Sequence, residues 1–175
     1  GEGFLAEVCA QWEQAATPAI RSGIRVVHMR FGMILSRSGG ALAKMIPIFQ
    51  WGLGGPLGSG RQGMSWIALD EIPHVIVHLI NHKDISGPVN VVSPRSVSNG
   101  EFTKILGRVL KRPTVFPVPA FAVKLLFGQM GEELLLNGAN AQPCILEKTG
   151  YQVLHPDLKS TLELYFNEHA TCGTE

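Results

Sequence analysis

The run IRVVHMRFGMIL at Ile24–Leu35 constrains the fold most. It is rich in β-branched and apolar residues and lies between two stretches with helical periodicity, so it reads as one buried strand covered by helices. Upstream, Leu5, Val8, Cys9, Trp12, Ala15 and Ala16 recur at helical spacing from Phe4 to about Ile20, and Ser22-Gly23 closes that helix. Downstream, Ser36–Gly40 reads as a turn and Ala41–Trp51 as a helix in which Pro47 marks a kink.

The alternation continues. Gly52–Gly60 carries glycine at five of nine positions, too many for regular structure. Ser65–Leu69 is a short strand. Asp70 is placed to cap a helix running to about His82, and Gly87-Pro88 breaks the chain before a short buried strand, Val89–Val92. Ser98-Asn99-Gly100-Glu101 fits a capping box ahead of a helix carrying Phe102, Ile105, Leu106, Val109 and Leu110. Thr114–Val118 is a strand candidate. Ala120–Phe127, Glu132–Asn137 and Cys144–Thr149 read as short helices, and His155-Pro156 as the start of the last one. The sum is an α/β chain with parallel strands followed by a mostly helical end.

Composition narrows the function classes. Hydrophobic residues make up 45% and charged residues 17%, which fits a chain with a real core. A formal net charge of +1 gives no electrostatic reason to expect nucleic acid or an anionic membrane as partner. No apolar run reaches the roughly 18 residues of a membrane helix. Cys9, Cys144 and Cys172 are far apart and form no CxxC pair, which argues against a disulfide framework or metal knuckle and points to a reducing cytoplasm.

Several features could carry chemistry. Gly58–Gly63 spells G-S-G-R-Q-G, which matches the bare dinucleotide string, but a helix precedes it and a strand follows, the reverse of the required context. No Lys-Ser/Thr follows the loop, as a P-loop needs. His74 and His78 stand four apart on one helix and could chelate a metal, yet no third ligand stands nearby, so the plainer reading is surface or packing. His28 reads as a core histidine and Cys9 as a core thiol. Arg30, in the buried strand, is either a structural tether or a ligand contact, because a buried guanidinium must be paired. No G-x-S-x-G elbow is present.

Three stretches together resemble one family. They are RVVHMRFGMILSRSGGALAKMIPIFQWGLGGPLGSGRQGMSWIALDEI, GPVNVVSPRSVSNGEFTKILGRVLKRPTVFPVPAFAVKLLFG and EKTGYQVLHPDLKSTLEL. They are similar to the C-terminal half of an extended short-chain dehydrogenase/reductase, in the NAD(P)-dependent epimerase/dehydratase family, and within it to the branch often labelled cell-division-inhibitor-like. The resemblance covers almost the whole chain.

It implies a partial Rossmann-like parallel sheet, the substrate-side half, with a mostly helical C-terminal subdomain. Residues 1–93 would complete the NAD(P)-binding domain and carry a substrate loop, 94–167 would form the cap, and 168–175 a flexible tail. The implied cofactor is NAD or NADP, held together with an upstream half that carries the dinucleotide fingerprint. Leu5, Cys9, Arg30, Phe31, Gly32 and Met33 would face the nicotinamide, and Gly60, Arg61, Gln62 and Trp66 an unidentified small-molecule substrate. Two departures stand out. Sugar-nucleotide epimerases place a phosphate-holding arginine where Met64 falls, a contact that methionine cannot make. The family's Tyr-x-x-x-Lys pair falls, aligned by Glu13, on Leu5 and Cys9, neither of which can act as the usual general acid/base. The expectation is thus the substrate-side portion of an epimerase-family oxidoreductase. The alternative is a non-catalytic NAD(P)-sensing or protein-interaction module, in which a homodimer would hide an exposed sheet edge.

Overall fold

The structure is a computed structural model that describes residues 4–115, 117 and 138–167. Expected helices at 120–127 and 132–137, and the polar tail, lie outside the described residues. The fold is α/β and Rossmann-like, with short parallel strands and helices.

Helix α1 spans Phe4–Ala15 and α2 spans Thr17–Arg21, so the single expected helix is broken. Pro18 stands in the first turn of α2; it cannot donate a backbone hydrogen bond to the turn before it, so the helix restarts there. Gly23, with φ +76°, turns the chain out of α2.

The expected strand Ile24–Leu35 is also two elements. Strand β1 (Val27–Phe31) pairs in parallel with β5 (Gly87–Val91), from Val27↔Gly87 to Phe31↔Val91. Strand β2 (Met33–Leu35) pairs in parallel with β4 (Trp66–Ala68), from Met33↔Trp66 to Leu35↔Ala68. The switch occurs at Gly32. A Cβ there would lie 2.4 Å from the Ser65 carbonyl oxygen, while Met33 N–H donates to that same oxygen at 2.8 Å. Only a residue without a side chain lets the strand change partners this closely.

Helix α3 (Gly40–Gln50) follows, with Pro47 inside it. Gly52–Gly60 is irregular, as expected, and leads into β3 (Gly63–Met64), which pairs antiparallel with β6 (Val97–Ser98). Helix α4 (Glu71–Asn81) is not capped by Asp70, which makes no capping bond. Its C-terminal end is fastened by the Arg25 guanidinium, which donates to the carbonyls of Leu79 (3.0 Å) and Ile85 (2.9 Å). A cation at the last carbonyls of a helix satisfies groups that have no partner within the helix.

Ser98 caps α5 (Asn99–Val109) as expected, its hydroxyl accepting from Glu101 N–H at 3.2 Å. Thr114 and Val115 belong to no strand. Two helices close the described chain, α6 (Cys144–Lys148) and α7 (Leu158–Asn167). The cap of α7 is Asp157 rather than His155: its Oδ1 accepts from Ser160 N–H at 2.9 Å and from the Ser160 hydroxyl at 2.8 Å. A carboxylate reaches the orphan N–H groups of a first turn and suits their positive end.

Two apolar clusters fill the interior. One joins Leu35, Leu42, Phe49, Trp66, Phe102, Leu106 and Leu162, drawn from β2, α3, β4, α5 and α7. The other joins Ile67, Val75, Leu79, Val89, Val91 and Leu146 beneath α4 and α6. Trp66 and Ile67 thus point to opposite sides of β4, one into each cluster.

Candidate functional site

In parallel α/β sheets, ligands bind beyond the carboxyl ends of the strands. Here β1 ends in Arg30-Phe31 and is followed by Gly32-Met33. Arg30 is not buried: its side chain is 54% exposed and grips Glu13 of α1 with two hydrogen bonds, Nε to Oε1 at 2.6 Å and a terminal NH2 group to Oε2 at 2.7 Å. The outward side of β1 is only half covered, so the guanidinium pairs at the surface. This favours the tether reading of Arg30. The ion pair holds the Glu13 carboxyl below its ordinary value, chiefly through the hydrogen bond from Arg30, and raises the guanidinium's in return.

Cys9 is exposed on α1 and is not a core thiol. Leu5 lies in the first turn of the same helix. Phe31 is 41% exposed, whereas Met33 is half-buried against the first apolar cluster. His28 is half-buried in β1 and belongs to neither core cluster. Cys9, Arg30 and Phe31 therefore sit at solvent-facing positions around the end of β1, and Met33 serves the core beneath them.

The substrate-loop residues divide in the same way. Gly60 is buried with φ +67°; its carbonyl accepts from Gly100 N–H at 2.8 Å, which locks the loop onto the start of α5. Gln62 turns inward, its amide donating to the Leu57 carbonyl at 3.0 Å and its backbone carbonyl accepting from Asn99 N–H at 2.9 Å. Arg61 is exposed, and its guanidinium has no hydrogen-bond or ion-pair partner among the described residues. Trp66 is fully buried and its indole N–H donates to the Arg95 carbonyl at 2.9 Å, so it forms part of the floor and does not present a ring to a ligand. Met64 is buried as well, its sulfur 3.3 Å from the Asn99 side-chain amide. The glycines therefore serve close packing: the loop lies against α5 with Arg61 as its outward cation.

His74 and His78 do not face each other as a chelating pair, in keeping with the plainer reading of surface and packing residues. His74 is exposed, while the His78 ring stacks on His82 with centroids 3.9 Å apart and meets Tyr151 edge-on. Thr149 Oγ1 lies within hydrogen-bond reach of the Ile145 and Leu146 carbonyls, to which its one proton can go. It then accepts from His78 Nε2–H at 2.9 Å, which fixes the tautomer. No group of three His, Cys, Asp or Glu among the described residues could hold a metal ion.

Sequence reasoning missed Asn99 and the carboxylate of Glu71. Asn99 is fully buried and accepts from Leu57 N–H at 2.7 Å, bracing the glycine loop. Its position just inside a capped helix was the available signal. Glu71 is fully buried, accepts from the Tyr151 hydroxyl, and takes the backbone N–H groups of Leu154 (3.0 Å) and His155 (3.1 Å). No local pattern links positions so far apart in sequence.

The same strand, loop and helix arrangement occurs in known proteins. The chain is 46% identical over 162 residues to the epimerase family protein MT2273 of Mycobacterium tuberculosis, covering 93% of this chain and 54% of that protein. It aligns with the crystal structure of human epimerase family protein SDR39U1 with NADPH at TM-score 0.76 and 35% identity, over 82% of this chain and 49% of that one. It also aligns with a nucleoside-diphosphate sugar epimerase from Corynebacterium glutamicum at TM-score 0.73 and 34% identity, over 95% of this chain and 32% of that one. The likeness is to epimerase-family proteins. The chain spans about half the length of the curated relatives it matches. A family profile described only as a domain of unknown function (DUF1731) matches residues 118–164. Among the described residues, no helix is long and apolar enough to cross a membrane.

Proposed function

We propose that this chain is the substrate-side portion of an NAD(P)-dependent, epimerase-family protein of the short-chain dehydrogenase/reductase type, acting on a small molecule. The observation that carries this reading is the likeness to the human NADPH-bound protein, which pairs one-third identity with a shared backbone over most of the chain. In this reading Cys9, Phe31 and Gly32 form one wall of the nicotinamide site, with Leu5 on the same helix as Cys9 and Arg30 tethering that helix to β1 through Glu13. Gly32 leaves room for close approach at the strand end, and Phe31 offers an exposed ring. A bound nicotinamide would supply hydride chemistry; this chain's residues orient it and exclude water on one side. Gly60, Arg61 and Gln62 form the substrate loop, with Arg61 as its outward cation.

A second reading is favoured by Leu5 and Cys9. Where the family carries its Tyr and Lys, this chain has an aliphatic side chain and a thiol, not the phenol and ammonium of the family's proton relay. That favours a dinucleotide-binding sensor on the same fold.

The test is a fluorescence titration of NADPH and NADH against this chain and against a polypeptide of the relatives' full length that contains it. Binding by the longer polypeptide, weakened in it by Phe31→Ala, is expected. Absence of dinucleotide binding by the longer polypeptide overturns the reading. Hydride transfer across a panel of carbonyl compounds then separates enzyme from sensor.

A further inference from the structure

A cleft of ≈ 320 Å3 opens beside the segment that follows β5. Three stretches distant in sequence converge on it: 94–105, which runs into the first two turns of α5, Gln142, and the start of α7. Its lining includes the apolar side chains of Ile105 and Leu158, and its charges are Arg95, Glu101 and Asp157. The walls are fixed from behind. Trp66 holds the Arg95 backbone from the core, and the Ser93 hydroxyl donates to the Pro156 carbonyl at 3.3 Å.

The three charges are not equally engaged. Asp157 caps α7 through Oδ1, and its carboxyl titrates below the ordinary value, chiefly because of the backbone and hydroxyl bonds from Ser160, with Arg95 adding to the effect. The Arg95 guanidinium and the Glu101 carboxylate have no hydrogen-bond or ion-pair partner among the described residues. Among the described residues, one guanidinium without a hydrogen-bond partner and two carboxylates thus border a space at the small end of ligand pockets, which run about 300–1,000 Å3. A simple anion would meet two like charges, and a simple cation would meet the guanidinium. A molecule with both signs satisfies all three.

We propose that this cleft binds a small zwitterion of the amino-acid class, its carboxylate on the Arg95 guanidinium and its ammonium between Glu101 and Asp157. The volume admits one amino acid or a short dipeptide. The cleft's lining shares no residue with the strand end assigned to the dinucleotide, and the site needs no dinucleotide to fill.

Trp66 reports on the cleft. Replacing the exposed Trp12 and Trp51 by Phe leaves its indole, bonded to the Arg95 carbonyl, as the single tryptophan signal. The full 175-residue chain is titrated with each of the twenty protein amino acids up to about 10 mM, the weak end of small-ligand binding. Saturation-transfer NMR on the same ligands reads binding independently of the indole. At least one amino acid is expected to saturate, and its affinity to fall about tenfold in Arg95→Ala and in Asp157→Asn. Asparagine keeps the helix cap while removing the charge, and Arg95 meets Trp66 only through its backbone, so both variants fold. The methyl ester and the N-acetyl form of the bound amino acid are each expected to bind about tenfold more weakly. Absence of binding by all twenty in both measurements overturns the proposal. So does equal binding of the ester or the N-acetyl form, and so does acetate binding as tightly as the amino acid.

Discussion

The Glu71 carboxylate, at the first turn of α4, is hydrogen-bonded by the hydroxyl of Tyr151, eighty residues further along the chain. The same carboxylate takes the N–H groups of Leu154 and His155, so one fully buried anion holds the whole 151–155 segment against the start of a helix. Its two oxygens thus serve three donors together, one from a side chain and two from the backbone. The Tyr151 phenol is pushed well above its ordinary value, first by burial and then by Glu71, and stays a donor at all ordinary pH.

Removing either partner should therefore be unequal in cost. Glu71→Ala leaves two part-buried backbone N–H groups and a phenol without an acceptor, and should cost about 3 kcal/mol. Tyr151→Phe removes one donor from an anion that keeps two others, and should cost about 1–2 kcal/mol. Urea denaturation of the two variants checks the order; equal losses would mean that the carboxylate's backbone contacts contribute little.

Gly32 permits the change of strand partner between β1 and β2, and Gly32→Ala should show it. The added methyl carbon would fall 2.4 Å from the Ser65 carbonyl oxygen, a backbone atom that cannot rotate away. The loss should be about 1–3 kcal/mol, with near-wild-type helix content by circular dichroism. A neutral effect would mean that β2 and β4 can separate at little cost.

The alternation of strands and helices was legible because apolar runs and helical spacing are local signals, and the glycine loop, the Ser98 cap and the α/β class follow from them. The split of Ile24–Leu35 was not legible, because Gly32 is read as tolerated within a strand unless the approach of Ser65 is known. Arg30 was read as buried for a similar reason: an apolar run shows that a strand is covered but not on which side. Trp66 was placed toward a substrate by the family resemblance, yet strand alternation turns it into the core. The Glu71 clamp and the His78–His82 stack join residues by tertiary contact, or share a face with another histidine, His74, that spacing alone cannot separate from them.

His78 gives the chain a pH dependence of defined sign. Folded, it titrates below the ordinary histidine value of 6.5, first because it is buried and then because His82 stacks on it. The facing groups are His82, Thr149 and the Tyr151 ring, none of which is an anion that would favour imidazolium. The unfolded chain thus takes up the extra proton first as pH falls. Stability should be full above the unfolded value and decline as the pH drops from about 6.5 through the lower folded value. Urea midpoints at stepped pH check this, with His78→Gln expected to flatten the slope in that window. An unchanged slope would assign the dependence to another group.

The Arg30–Glu13 pair should behave differently from these buried contacts. Arg30 is exposed and Glu13 partly so, and their attraction is screened, so the pair adds little to global stability. Arg30→Ala should leave the urea midpoint close to wild type and insensitive to added salt. Its effect should appear locally, as faster amide hydrogen exchange in α1, because the two hydrogen bonds to Glu13 link that helix to β1. In the longer polypeptide, the same substitution should weaken NADPH binding by loosening the helix that carries Cys9. Loss of NADPH affinity without any change in α1 exchange would instead assign Arg30 a direct contact with the dinucleotide.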